Sequence, residues 1–116
     1  MRFLSGKCAL ITGSVRGLGL AAAHRFAAAG CNLVLNGFDG TQDIETLRHA
    51  IEDQHGVRAI YNGADLRRSE DIEAMVSAPA DAFETVDILV NNAVVRHTAP
   101  IEAFEVSAWD DGLAVN

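Results

Sequence analysis

Basic residues are scarce in this 116-residue chain. Nine Lys and Arg stand against sixteen Asp and Glu, a formal net charge of −7. Phosphate backbones are held by clustered cations, so no nucleic acid is expected as a partner, and the acidity reads as ordinary solubility. Long apolar runs are also missing. None approaches the ~20 residues of a membrane-spanning helix, and the chain does not open like a secretory signal, so no membrane is expected and the cytoplasm is the expected compartment. Cysteine is limited to Cys8 and Cys31. That is too little for a metal site, and a disulfide is not expected in a reducing compartment; both read as small buried hydrophobes.

What is present is an alternation of apolar segments with helical ones. Lys7–Thr12 is a nearly all-apolar run of the kind that suits a parallel strand covered on both faces. Gly17–Ala29 is alanine-rich and helical, and Asn32–Asn36 reads as a second strand. Thr41–His55 reads as a helix capped by Thr41, with Ile44, Leu47 and Ile51 on one face and Gly56 after it. Val57–Tyr61 is a third strand. Ser69–Phe83 is a helix capped by Ser69 with Ile72, Met75 and Val76 inward. Val86–Asn91 is a fourth strand. A last helix starts at Ser107, with Trp109 and Leu113 on its apolar side. This βαβαβαβα order predicts an α/β fold, a Rossmann-like doubly wound parallel sheet of about four strands, in one domain spanning residues 1–116.

Between the first strand and the first helix lies Thr12-Gly13-Ser14-Val15-Arg16-Gly17-Leu18-Gly19. A diphosphate needs exposed backbone N–H groups at the positive end of a helix dipole, and side chains there block its approach. A strand, a glycine-rich turn and a helix in that order predict a dinucleotide site.

The spacing T-G-x-x-x-G-x-G after the first strand resembles the cofactor signature of the short-chain dehydrogenase/reductase family. Three further segments match in order: Ala64-Asp65-Leu66, Asn91-Asn92-Ala93 and the terminal WDDGLAVN from Trp109 to Asn116. The resemblance covers the whole chain. It implies a nicotinamide dinucleotide held by Thr12, Gly13, Ser14, Arg16, Gly17, Leu18, Gly19, Phe38, Asp65, Leu66, Asn91, Ala93 and Val94. Asp65 would meet the adenine, and Asn116 would be the catalytic asparagine of a proton relay.

Cys31–Phe38, His55-Gly56-Val57, Gly63–Leu66 and the stretch from Asn91 through Ala99-Pro100-Ile101-Glu102 resemble the 3-hydroxybutyrate dehydrogenases of that family. This implies oxidation of (R)-3-hydroxybutyrate to acetoacetate, or of a related small hydroxy acid to its keto acid. Arg96 stands where a carboxylate-holding glutamine is usual, and a guanidinium holds a carboxylate through two bonds; a solvated surface arginine is the other reading. The segment Asn36-Gly37-Phe38 carries no acid for the adenine ribose, but those relatives share it and use NAD, so NAD is expected. Arg16 argues the other way, since a basic residue there accompanies NADP. Other readings are a non-catalytic nucleotide-binding module, an interaction fragment, or a reductase of 3-oxoacyl type using NADP.

The departures from the family pattern are specific. The tyrosine and lysine of Y-x-x-x-K do not occur in the sequence, so the chain is expected to be truncated before them and inactive by itself. Val94 replaces a glycine and is expected to crowd the cofactor. Pro79 is expected to kink or split its helix, and Gly112 to weaken the last one. The outer edge of the fourth strand is expected to lie bare, a route to self-association.

Overall fold

A computed structural model describes every residue except 1, 39–42, 78, 80–82 and 84. The elements run β1 (Cys8–Ile11), α1 (Gly17–Ala28), β2 (Asn32–Asn36), α2 (Ile44–His55), β3 (Ala59–Asn62), α3 (Ser69–Ser77), β4 (Ile88–Val90), a short 3-10 turn (Ile101–Ala103) and α4 (Val106–Val115). All four strands pair in parallel, in the order β3-β2-β1-β4. This is the expected Rossmann-like architecture.

The all-apolar reading of β1 follows from its place at the centre. Ala9 and Ile11 join Leu33, Leu35, Ile51, Ala23 and Ala27 on the face covered by α1 and α2. Leu10 and Cys8 join Val34, Met75 and Phe83 on the other face, beneath α3. Alanines let α1 lie close to the sheet, and Ala23 and Ala27 are fully buried. Cys8 and Cys31 are both buried and lie in opposite core clusters. Burial pushes the Cys8 thiol up to about 11, with Cys31 and Asp87 adding to the rise, so it packs as a neutral group.

Several expectations need correction. Asp43 caps α2, accepting the Thr46 N–H at 3.1 Å; Thr41 lies outside the described residues. Ser69 is the first residue of α3 rather than its cap, because the Ile72 N–H already reaches the carbonyl of Arg68. That helix stops at Ser77, two residues before Pro79, rather than running to Phe83. A proline disfavours helical backbone at the residue before it, which accords with a helix that ends ahead of Pro79. With α3 this short, Met75 alone of its three apolar positions is buried, and Ile72 and Val76 are exposed.

The fourth helix keeps its expected place, yet buries none of its residues. Trp109 and Leu113 are 61% and 70% exposed. Trp109 meets Phe104 edge-on, at 6.4 Å between ring centres. An apolar stripe is covered only where another element lies over it, and among the described residues no strand or helix does so here. The edge strand β4 shows the same: Leu89, opposite Leu10 in register, is 57% exposed.

Candidate functional site

An open cleft of about 940 Å³ lies at the carboxyl ends of the strands. The turn after β1 supplies Gly13, Arg16, Gly17 and Leu18. The segment after β2 supplies Phe38, the one after β3 supplies Asp65 and Leu66, and the one after β4 supplies Ala93, Val94 and Arg96. Ten of the expected site residues thus meet in one place. In the order β3-β2-β1-β4 the chain runs outward from β1 through β2 to β3 and then crosses back to place β4 on the other side of β1. Open α/β sheets leave a ligand crevice at such a switch point.

The turn is shaped for an anion. Gly13 and Gly17 adopt φ of 63° and 60°, left-handed values that favour glycine. Gly19 meets a different demand: a Cβ there would lie 2.1 Å from the Gly13 carbonyl oxygen and 2.6 Å from Asn92 Nδ2. The first intrahelical donor of α1 is Leu20, whose N–H reaches the Arg16 carbonyl at 3.2 Å. The amides of Gly17, Leu18 and Gly19 precede it, so they stand at the positive end of the dipole, and no acidic side chain occupies that first turn. These residues fit a dinucleotide diphosphate.

Thr12 and Ser14 do not line the cleft but brace it from behind. The Thr12 hydroxyl accepts the N–H groups of Asn92 and Ala93, each at 3.0 Å. Ser14 is fully buried; its Oγ accepts the Asn36 N–H at 3.0 Å, and its own N–H donates to the Asn36 carbonyl at 2.7 Å. Their side chains are turned toward neighbouring strands, because a tight turn needs its polar groups satisfied internally. Asn91 also lies outside the cleft, and Asn92 takes its place: its amide donates to the carbonyls of Thr12 and Gly13 at 3.2 and 3.1 Å.

Two residues the sequence did not single out as site residues matter most. Asn36, buried at the end of β2, donates to the carbonyls of Asn62 and Ala64 and accepts the Gly13 N–H at 3.3 Å. It joins three strand ends in one network. Arg67 grips Asp65: the Asp65 carboxylate accepts the Arg67 backbone N–H and Nε at 3.0 Å each and Nη2 at 2.8 Å. That guanidinium holds the Asp65 carboxyl down to about 2. The sequence signal was an arginine two residues after an aspartate that follows a strand, and an asparagine closing a strand whose three central residues are apolar.

Val94, 55% exposed, lines the cleft, and among the described residues no non-glycine takes a positive φ. The valine therefore narrows the cleft without straining the backbone. Asn116 lies outside the cleft: its side chain accepts the Val95 N–H at 2.8 Å and donates to the Val95 carbonyl at 3.1 Å. It pins the cleft wall after β4. Tyr61, the only tyrosine, donates its hydroxyl to the Gly37 carbonyl.

The family model of short chain dehydrogenases matches residues 7–116. D-beta-hydroxybutyrate dehydrogenases are 43% identical over 113 residues in Cupriavidus necator and 42% identical over 110 residues in Rhizobium meliloti. These matches cover 97% and 95% of this chain, and 43% of each relative. Among solved structures, L-sorbose reductase from Gluconobacter frateurii, complexed with NADPH and L-sorbose, superposes with a TM-score of 0.89 at 31% identity, covering 99% of this chain and 44% of that one. A short chain dehydrogenase from Burkholderia cenocepacia in complex with NADP gives a TM-score of 0.90 at 34% identity, covering 97% of this chain and 46% of that one. The chain therefore spans less than half the length of these relatives. A match along residues 7–116, with a glycine turn and four strand ends built around one cleft, makes the chain a member of the short-chain dehydrogenase family.

Proposed function

We propose that this chain forms the dinucleotide-binding half of an NAD-dependent short-chain dehydrogenase acting on a small hydroxy acid such as 3-hydroxybutyrate. The carrying observation is the helix N-terminus, open to a cleft at the strand ends at Gly17 and Leu18. A nicotinamide held there would supply a hydride acceptor for the alcohol carbon. The residues here bind and orient. The first-turn amides of α1 hold the diphosphate, Leu66 and Phe38 offer apolar walls, and Asp65 offers a carboxylate acceptor. Arg96, exposed on the cleft wall, is placed to pair with a substrate carboxylate.

Proton transfer from the hydroxyl needs a general base. No Y-x-x-x-K occurs in the sequence, and Tyr61 is engaged with Gly37. The chain by itself is therefore proposed to bind dinucleotide without turning over hydroxy acid. NAD is favoured by the resemblance of Asn36-Gly37-Phe38 to the hydroxybutyrate dehydrogenases. Arg16 in the cleft favours a second reading, NADP; two solved relatives are complexed with NADPH and with NADP. Fluorescence titration decides both points. Saturable binding of NADH, tighter than NADPH, supports the proposal; tighter NADPH binding selects the second reading; no binding of either rejects the dinucleotide site.

A further inference from the structure

We propose that Arg67 is a positioning residue for the purine end of the cleft, locking the Asp65 carboxylate so that one oxygen remains ready to accept a hydrogen bond from an adenine amino group. The inference rests on the dinucleotide reading above. With the diphosphate at the start of α1, the base falls toward the segments after β2 and β3. The lining there is apolar at Phe38 and Leu66, with one carboxylate, Asp65. That pairing suits a flat heterocycle bearing an exocyclic amino donor.

A carboxylate offers about four lone-pair positions, two on each oxygen. Asp65 Oδ1 accepts two bonds, from the Arg67 backbone N–H and Nε. Oδ2 accepts one, from Nη2. Among the described residues one position on Oδ2 is therefore left for a ligand. A lone aspartate at a strand end turns about its χ angles, and holding it on binding would oppose affinity. The planar fork of Arg67 removes that freedom beforehand. Arg67 is itself anchored from α4, its Nη1 lying 3.5 Å from Asp111 Oδ1. The fork thus stands between two carboxylates and keeps its orientation along the cleft wall. An oxygen in place of the amino group would face the Asp65 oxygen and be repelled, so the arrangement selects adenine over hypoxanthine.

The test is a fluorescence titration of the chain with NADH and with reduced nicotinamide hypoxanthine dinucleotide. Wild type is expected to prefer NADH by about tenfold, the scale of one hydrogen bond to a charged group. Arg67→Gln should cut that preference to within about threefold, and Arg67→Lys, which keeps the charge but not the fork, should restore part of it. Circular dichroism checks that each variant is folded; if Arg67→Gln is not, Arg67→Lys carries the test with a preference below wild type. A folded variant that keeps the wild-type preference, or loses affinity for both dinucleotides in equal measure, overturns the role of Arg67 and leaves the dinucleotide reading standing. Wild type binding neither dinucleotide overturns both.

Discussion

The side-chain amide of Asn92 fills the space a Cβ on Gly19 would need, lying 2.6 Å from that position. The first turn of α1 and the end of β4 are thereby pressed together across the head of the cleft. Gly19→Ala would also put its methyl 2.1 Å from the Gly13 carbonyl oxygen, which is backbone and cannot swing aside. Overpacking of this kind costs about 1–3 kcal/mol. Urea denaturation should show a loss of that order, together with weaker NADH binding. A variant as stable as wild type would mean that the turn relaxes freely.

Asn36 offers a second handle. Its amide satisfies the carbonyls of Asn62 and Ala64, and its oxygen accepts the Gly13 N–H. Asn36→Ala strands these groups, at ~1–3 kcal/mol for a buried unsatisfied partner. Asn36→Asp keeps the acceptor but turns two donors into acceptors, so it should be no better tolerated. Chemical denaturation of both variants checks the order.

Acid should loosen the packing of α1 against α2. His24 Nδ1 lies 3.0 Å from His55 Nε2, and Arg2 donates to the His55 carbonyl. Burial, then the charges of His24 and Arg2, hold His55 below its ordinary value of 6.5. The unfolded chain therefore takes up this proton first as pH falls. The stabilising term is full above about 6.5 and is lost as pH drops through the folded value. Thermal melts should show a lower Tm at about pH 5.5 than at about pH 7.5, and His55→Asn should flatten that difference. An equal fall in the variant would place its cause elsewhere.

The edge strand is expected to set the behaviour of the chain in solution. One side of β4 pairs with β1, and Leu89 stands largely exposed. Such an edge invites pairing with another chain. Size-exclusion chromatography at micromolar concentration should show self-associated species, and Leu89→Lys should shift the profile toward monomer. A sharp monomer peak for wild type would contradict this.

Much of the fold was legible in the residues. The apolar runs at β1 and β2 could be read directly, because a central parallel strand is buried on both faces. The glycine turn was legible because each of its glycines answers a steric demand that the spacing already implies. Ten expected site residues meet in the cleft. Thr12 and Ser14 fail to line it for a local reason: a short polar side chain beside a tight turn is used first to satisfy nearby backbone. Thr12 bonds the segment after β4, and Ser14 bonds the end of β2.

The sequence by itself determined the alternation of elements, the parallel sheet, the place of the turn and the family, since these follow from local periodicity and from motifs in order along the chain. Only the tertiary structure decided which asparagine holds the turn, that Arg67 grips Asp65, that Asn116 pins Val95, and that the apolar stripe of α4 lies uncovered. Those outcomes depend on which groups far apart in the chain come within hydrogen-bond reach and on which faces find a neighbour. Periodicity marks a face as apolar, but burial requires a second surface, and that is set by the arrangement of the whole chain.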